Sequence, residues 1–157
     1  MVWHVLAWAL PVALGAFLVS AGIEDARKRE IANWKNAAIA LMAPVWWVAI
    51  GIDPWPTMAV LTGGALIAFA LFCGAFALGQ MGGGDVKLIG ALALWLAPFA
   101  LINMLIAMSL VGGALTILFL VDQKLRRREG PIEIPYGVAI AIAGLLALRE
   151  PLVNQFA

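Results

Sequence analysis

Two aspartates offer this chain its clearest chemistry, and one of them directly follows a run of glycines. Gly82, Gly83, Gly84 and Asp85 are consecutive and lie between two long apolar stretches. A carboxylate this close to membrane-type sequence is costly to keep there, and a function usually compensates for the cost. Asp25, at the end of the first apolar stretch, is the candidate partner. The sequence therefore predicts a pair of catalytic carboxylates, provided that the two can meet.

Paired carboxylates can hydrolyse a peptide bond without a metal, a nucleophilic side chain or a covalent intermediate. Two carboxylates a few ångströms apart cannot both ionise cheaply, so they share a proton. One acts as general base on a water while the other protonates the scissile carbonyl; which acid is the base stays open. Gly82 and Gly84 are expected to adopt backbone conformations that other residues resist and to let an extended substrate pass close to Asp85.

The single histidine and the single cysteine give no alternative chemistry. His4 has no second ligand nearby in the sequence, and we interpret it as a solvated or interfacial residue. Cys73 lies in an apolar run and is interpreted as a small buried hydrophobic residue. No metal site and no cofactor is therefore expected.

Composition identifies an integral membrane protein. The 157 residues are 64% hydrophobic and 12% charged, with a mean hydropathy of +1.01, whereas roughly a quarter of the residues in soluble domains are charged. We expect a single domain over residues 1–157, with the lipid bilayer as its surroundings and no large part outside the membrane. The net charge of +1 comes with few, clustered basic residues, so no nucleic-acid partner is expected.

The apolar pattern predicts an all-α membrane protein with about six transmembrane helices. The predicted spans are residues 2–23, 37–50, 57–78, 86–97, 99–121 and 134–148, with polar loops at 24–36 and 122–133. The fourth span would rise only about 18 Å against a hydrocarbon core of about 30 Å. Either its helix begins before Val86 or it does not reach the full depth. We favour the second explanation, in which the glycine turn starts the helix inside the membrane, in a wet pocket.

Lysine and arginine positions predict the orientation. Four basic residues follow the first span, Lys87 follows the third and four follow the fifth, whereas only Arg149 falls on the opposite side. Basic loops face the cytoplasm, so both termini are expected on the outer side. Asp25 and Asp85 then share the cytoplasmic face, as a catalytic pair requires.

Several other residues have weaker indications. Lys87 either orients Asp85 or the substrate, or snorkels and anchors its helix. Asn33 either hydrogen-bonds the two acids or, as we favour, caps its loop. Three groups of residues have shared structural interpretations: the topology is anchored by Arg126, Arg127 and Arg128, the membrane interface is occupied by Trp34, Trp46, Trp47, Trp55 and Trp95, and close helix approach is allowed by Gly63, Gly64 and Gly74. We assign no role to Asp122 or Glu133.

The motifs resemble those of a known family. Gly-Gly-Gly-Asp-Val-Lys-Leu, beginning at Gly82, is similar to the Gly-x-Gly-Asp-x-Lys-Leu of type IV prepilin peptidases, which are intramembrane aspartyl proteases. Asp25 followed by Ile-Ala-Asn at 31–33 resembles their first motif, an Asp several residues before Ile-Pro-Asn. Pro-Tyr-Gly-Val-Ala at 135–139 resembles the start of their last span. The resemblance covers essentially the whole chain.

The resemblance implies a membrane endopeptidase that removes the leader of prepilins at the cytoplasmic face of the bacterial inner membrane. Asp25 and Asp85 match the two catalytic acids. Ala32 replaces the usual proline, and there is no cysteine-rich insertion of the kind associated with zinc and with N-methylation. The chain therefore looks like the short type that serves Tad/Flp pili, without methyltransferase activity. We expect small residues in spans three and five to leave a groove for the substrate helix.

Two other functions stay open. A small transporter or channel subunit would use Asp85 as a proton or cation site, because broken helices and intramembrane acids also mark such sites. A structural assembly subunit would tolerate neutral replacement of both acids.

Overall fold

The computed structural model describes residues 2–126 and 134–148, and these residues form helices and connections without strands. The six helices are α1 (Val2–Lys28), α2 (Asn33–Ala49), α3 (Ala59–Ala77), α4 (Gly83–Ala93), α5 (Pro98–Arg126) and α6 (Tyr136–Ala147). A π-helical turn, Pro54–Met58, leads directly into α3. The all-α prediction is confirmed.

The two shortest helices occupy the centre. The 11-residue α4 contacts α2, α3 and α6, and seven of its residues are buried. The 12-residue α6 packs against α1, α5 and α4. Leu88 and Ile89 of α4 and Ile140 of α6 are fully buried in the common core. The helix that carries Asp85 is therefore held on several sides.

The longest helices lie outside these two and are apolar enough to cross a membrane. Val2–Lys28, Pro54–Ala77 and Pro98–Arg126 contain windows with mean hydropathies of 2.0, 2.1 and 2.5. α6 is apolar but shorter. The chain is a helical membrane protein, with six helices at the predicted places; that all six cross the bilayer stays a prediction, as does the orientation of the termini.

Several predicted boundaries are wrong. α1 continues through Lys28, so residues 24–28 are helical and only 29–32 connect α1 to α2. Arg27 and Lys28 suit the last turn of a helix, where the macrodipole favours cations. α4 begins at Gly83, before Val86, yet rises only about 16 Å. Hydropathy alone missed these turns because they are helical but polar.

Three of the five tryptophans assigned to the membrane interface lie in the core instead. Trp46 and Trp95 are fully buried and stack with ring centroids 5.4 Å apart, and Trp47 is 5% exposed. Each indole N–H donates to a backbone carbonyl, as buried tryptophans require. Trp34 and Trp55 are exposed, in agreement with the interface assignment.

Of the other residue assignments made from the sequence, some agree with the structure and some do not. Among the residues that the structure describes, a Cβ added at Gly63, Gly64 or Gly74 would meet no atom within 4 Å, so these glycines mediate no close helix approach there. Cys73 is half-buried rather than buried, and His4 is exposed. Arg126 pairs with Asp122 on the surface of α5, which gives Asp122 a partner. Arg127, Arg128, Glu133 and Arg149 lie outside the described residues.

Candidate active site

Asp25 lies near the C-terminal end of α1, where it faces α6. Its side chain is 4% exposed, and Oδ2 accepts a hydrogen bond from the backbone N–H of Val138 at 3.2 Å. That N–H belongs to the first turn of α6. Backbone N–H groups in the first turn of a helix have no helical carbonyl four residues earlier to bond. Because α1 stays helical past Ile23, the carboxylate points inward instead of lying in a solvated loop.

Asp85 lies in the first turn of α4. It is 8% exposed, and the helix N-terminus favours a negative charge at this position. Gly82 precedes the helix as its N-cap, and a Cβ there would lie 3.2 Å from Oδ2 of Asp85. A larger residue before the helix would therefore press on the carboxylate and shift it by a few tenths of an ångström.

The two carboxylates line one cavity of about 350 Å³. They come from different helices, α1 and α4. The walls include Arg29, Glu30 and the three glycines at 82–84. The structure therefore brings the predicted acids together beside a space that can hold water and part of a peptide.

The glycines act through close packing rather than through unusual backbone angles. Gly82 has φ −71° and ψ 145°, which any residue can adopt, and Gly84 is helical, so the predicted conformational role is wrong. A Cβ on Gly84 would lie 3.3 Å from Cβ of Ile31 and 3.4 Å from its backbone N. Gly84 thus lets the connection between α1 and α2 approach α4.

Gly137 is a site residue whose role the sequence did not reveal. A Cβ on Gly137 would lie 2.7 Å from Cγ of Asp25 and 2.8 Å from Cδ1 of Ile31. Only glycine leaves room for the carboxylate against the first turn of α6. The signal was present in the Pro-Tyr-Gly motif, which resembled the family pattern without indicating a function.

The first turn of α2 joins the two helices that carry the aspartates. Lys35 is buried, and its Nζ lies 2.8 Å from Oε2 of Glu24 and 2.8 Å from Oγ of Ser20, both on α1. Oε2 of Glu24 also accepts a hydrogen bond from the backbone N–H of Ala32 at 3.2 Å. Residue 24 is therefore fixed to α2 immediately before Asp25.

The same turn also binds α4. Nδ2 of Asn36 donates to the carbonyl of Gly84 at 3.1 Å, and Nζ of Lys87 donates to Oδ1 of Asn33 at 2.8 Å. Asn33 thus makes an interhelical bond instead of a loop cap, and Lys87 is bound to α2. We call Asn33, Lys35 and Asn36 the α2 clamp. Nothing in their sequence context distinguished Lys35 and Asn36 from ordinary loop residues.

Arg29 is a further wall residue that no sequence motif singled out. It directly follows α1 with φ +58°, in the left-handed region that most side chains avoid. Its guanidinium lies over the ring of Phe119 at 5.5 Å, and its buried Nη1 has no hydrogen-bond partner among the described residues. A donor is thus available beside the carboxylates.

The described residues hold no group of three or more histidine, cysteine, aspartate or glutamate side chains that suits a metal ion. The functional groups that the cavity does offer are two carboxylates, a guanidinium and backbone donors. This arrangement can position a water between two acids.

Comparison with known proteins identifies the family. No similar curated protein and no similar solved structure was found. A family model described as the type IV leader peptidase family matches residues 12–117, which include both aspartates and the whole α2 clamp. Because the match covers more than half of the chain, this membrane protein belongs to the type IV leader peptidase family.

Proposed function

We propose that the protein is a membrane aspartyl endopeptidase that removes the leader peptide of prepilins at the cytoplasmic face of the bacterial inner membrane. The observation that supports this most directly is the pair of carboxylates, Asp25 and Asp85, on the wall of one cavity. Family membership makes the chain a protease, and the two acids supply the mechanism.

In the proposed reaction, a water lies between the two carboxyl groups. The ionised acid takes a proton from the water as its oxygen attacks the scissile carbonyl carbon, and the protonated acid gives its proton to the carbonyl oxygen. The tetrahedral intermediate then breaks its C–N bond as a proton passes to the leaving amine. The products are a carboxylic acid and an amine, and the two acids again share one proton.

The proposed substrate is a prepilin of the Tad/Flp type. The single cysteine among these residues supports a peptidase without the cysteine-rich insertion that is associated with N-methylation. A prepilin carries a basic leader followed by an apolar helix, and the bond between them lies at the membrane surface. Glu30, exposed beside the cavity, adds negative charge that suits a basic leader.

Replacing either acid by its amide tests the proposal. A Flp-type prepilin is co-expressed with wild type, Asp25→Asn, Asp85→Asn and the control Asp53→Asn, which changes an exposed acid between α2 and α3. Cleavage is followed as a gel shift, with membrane levels of each variant measured. We expect cleavage by wild type and by Asp53→Asn, and a loss of at least about a hundredfold in rate for the other two, since general acid–base catalysis contributes roughly 10²–10⁴-fold per group.

Either amide variant that is present in the membrane and cleaves at the wild-type rate contradicts the two-carboxylate mechanism. A wild-type protein that cleaves none of several prepilins contradicts the proposed substrate. Measurements of proton flux would then test the transporter alternative.

A further inference from the structure

A second cavity, of about 440 Å³, lies between α2, α3 and α4 and opens beside the aspartates. α2 and α3 both pack on α4 but hardly contact each other, so a slot is left between them. Small residues line much of it, among them Ala37, Ala40 and Gly90. We call this slot the α2–α3 groove.

The groove adjoins the aspartate cavity at one end, where the two share a lining residue. Asn33 lines both cavities, and its partner Lys87 also lines the groove. α4 begins at the aspartates, since Asp85 is in its first turn, and the groove follows α4 from Lys87 to Leu94. A chain that leaves the cavity over the hydrogen bond between Asn33 and Lys87 reaches the groove next.

The groove changes from polar to apolar along its length. Asn33, Asn36 and Lys87 lie at the aspartate end, and beyond them most of the lining side chains are apolar. The helical rise from Lys87 to Leu94 is about 10 Å. That length matches about two turns of a helix lying alongside α4.

These features match the substrate that the proposed function requires, a polar cleavage site followed by an apolar helix. We propose that the α2–α3 groove binds the first two turns of the substrate's apolar helix, immediately after the scissile bond. This proposal rests on the proposed function and deepens it. Small side chains on α2 and α4 allow the close approach that holds helices together in lipid, where there is no hydrophobic driving force between them.

Of the two spans whose small residues were expected to leave a groove, the third contributes Ala65 of α3 to the lining, together with residues of α2 and α4. α5 contributes no residue to its lining. The small residues Gly63 and Gly64 of α3 also lie outside it.

Adjacent positions on α3 provide a matched test. Leu66 lines the groove and is 62% exposed, whereas Ile67 is 65% exposed and lies outside the groove lining. A photoreactive benzoyl-phenylalanine is placed at each position in turn, in the full chain in membranes that contain an uncleaved prepilin. Each probe variant is made in two backgrounds, one with Asp85 unchanged and one with Asp85→Asn. The Asp85→Asn background is used so that the prepilin stays uncleaved. We expect the probe at residue 66 to cross-link to prepilin at least about tenfold more than the probe at residue 67.

The outcomes separate this proposal from the proposed function. If wild type cleaves the prepilin but residue 66 cross-links only to lipid, or no more to prepilin than residue 67 does, the groove is not the binding site. If wild type cleaves no prepilin, the proposed function fails and the groove proposal fails with it. A cross-link that maps to the first two helical turns of prepilin after the cleaved bond supports the proposed binding site. A cross-link that maps only to later turns of the prepilin helix overturns the proposal.

A kinetic measurement gives a second test. Ala40→Leu narrows the groove and is expected to raise KM for prepilin about tenfold with kcat nearly unchanged. Ala70→Leu, at an exposed position of α3 outside the groove lining, is expected to leave both values at the wild-type level. Equal KM values for the two variants contradict the proposal.

Discussion

At the scale of single residues, the candidate site depends on positions that lack a side chain. Asp25 is held against the first turn of α6 because Gly137 has no Cβ, and α4 approaches residue 31 because Gly84 has none. The carboxylate of Asp25 also receives the N–H of Val138. The two aspartates are the proposed catalytic groups, and these glycines help to determine where their carboxylates lie.

Gly137→Ala tests this dependence. The added Cβ would lie 2.7 Å from Cγ of Asp25, so the carboxylate has to move. We expect cleavage to fall about a hundredfold, the effect of a misplacement of about 1 Å. Gly113→Ala on α5 is the control, because no atom lies within 4 Å of its added Cβ. Cleavage rates and thermal unfolding in detergent are measured for both, and wild-type cleavage by Gly137→Ala contradicts the assigned position of Asp25.

At the scale of helices, the α2 clamp sets the position of α1 relative to α4. Lys35 binds Glu24 and Ser20 of α1, while Asn36 and Asn33 bind Gly84 and Lys87 of α4. Glu24 and Gly84 each directly precede an aspartate in the chain, and Lys87 follows Asp85 by two residues. Ser20 lies somewhat more than one helical turn before Asp25. Helix packing alone allows small sliding movements, and directed polar contacts restrict them.

The ion pair between Glu24 and Lys35 can be tested by a double-mutant cycle. Lys35→Met leaves Glu24 without its cation, so we expect a lower thermal midpoint and a loss of cleavage of up to about a hundredfold. Adding Glu24→Gln removes the unpaired charge and is expected to restore much of the midpoint but little of the cleavage. Strictly additive effects of the two changes on stability would contradict a direct interaction.

At the scale of the whole molecule, the two aspartates and three of the described basic residues lie at the same end. The connection from α1 to α2 touches α4 at Gly84, so it lies beside the connection from α3 to α4. Arg29, Lys35 and Lys87 lie at this end. The structure therefore gives these three basic residues and the candidate site one common side, which the sequence predicts to face the cytoplasm.

Cysteine labelling tests the orientation. In a Cys73→Ala background, we expect Gln80→Cys, between α3 and α4, to react with an impermeant maleimide only in inverted membrane vesicles. Asp53→Cys, in the connection from α2 towards α3, is expected to react only in spheroplasts. Both positions are exposed. Reaction of both from the same side would contradict a membrane crossing between them.

The sequence alone determined the class of protein and the approximate places of six helices, and it predicted the two catalytic acids. Hydropathy depends on composition within a segment, and the Gly-Gly-Gly-Asp and Pro-Tyr-Gly motifs are local, so both can be recognised without neighbours. The tertiary structure decided what depends on other helices. In the folded chain Trp46 and Trp95 stack on each other, Lys35 pairs with Glu24 and Gly137 packs against the carboxylate of Asp25. Helical periodicity specifies which residues share a face but does not specify which helix that face meets.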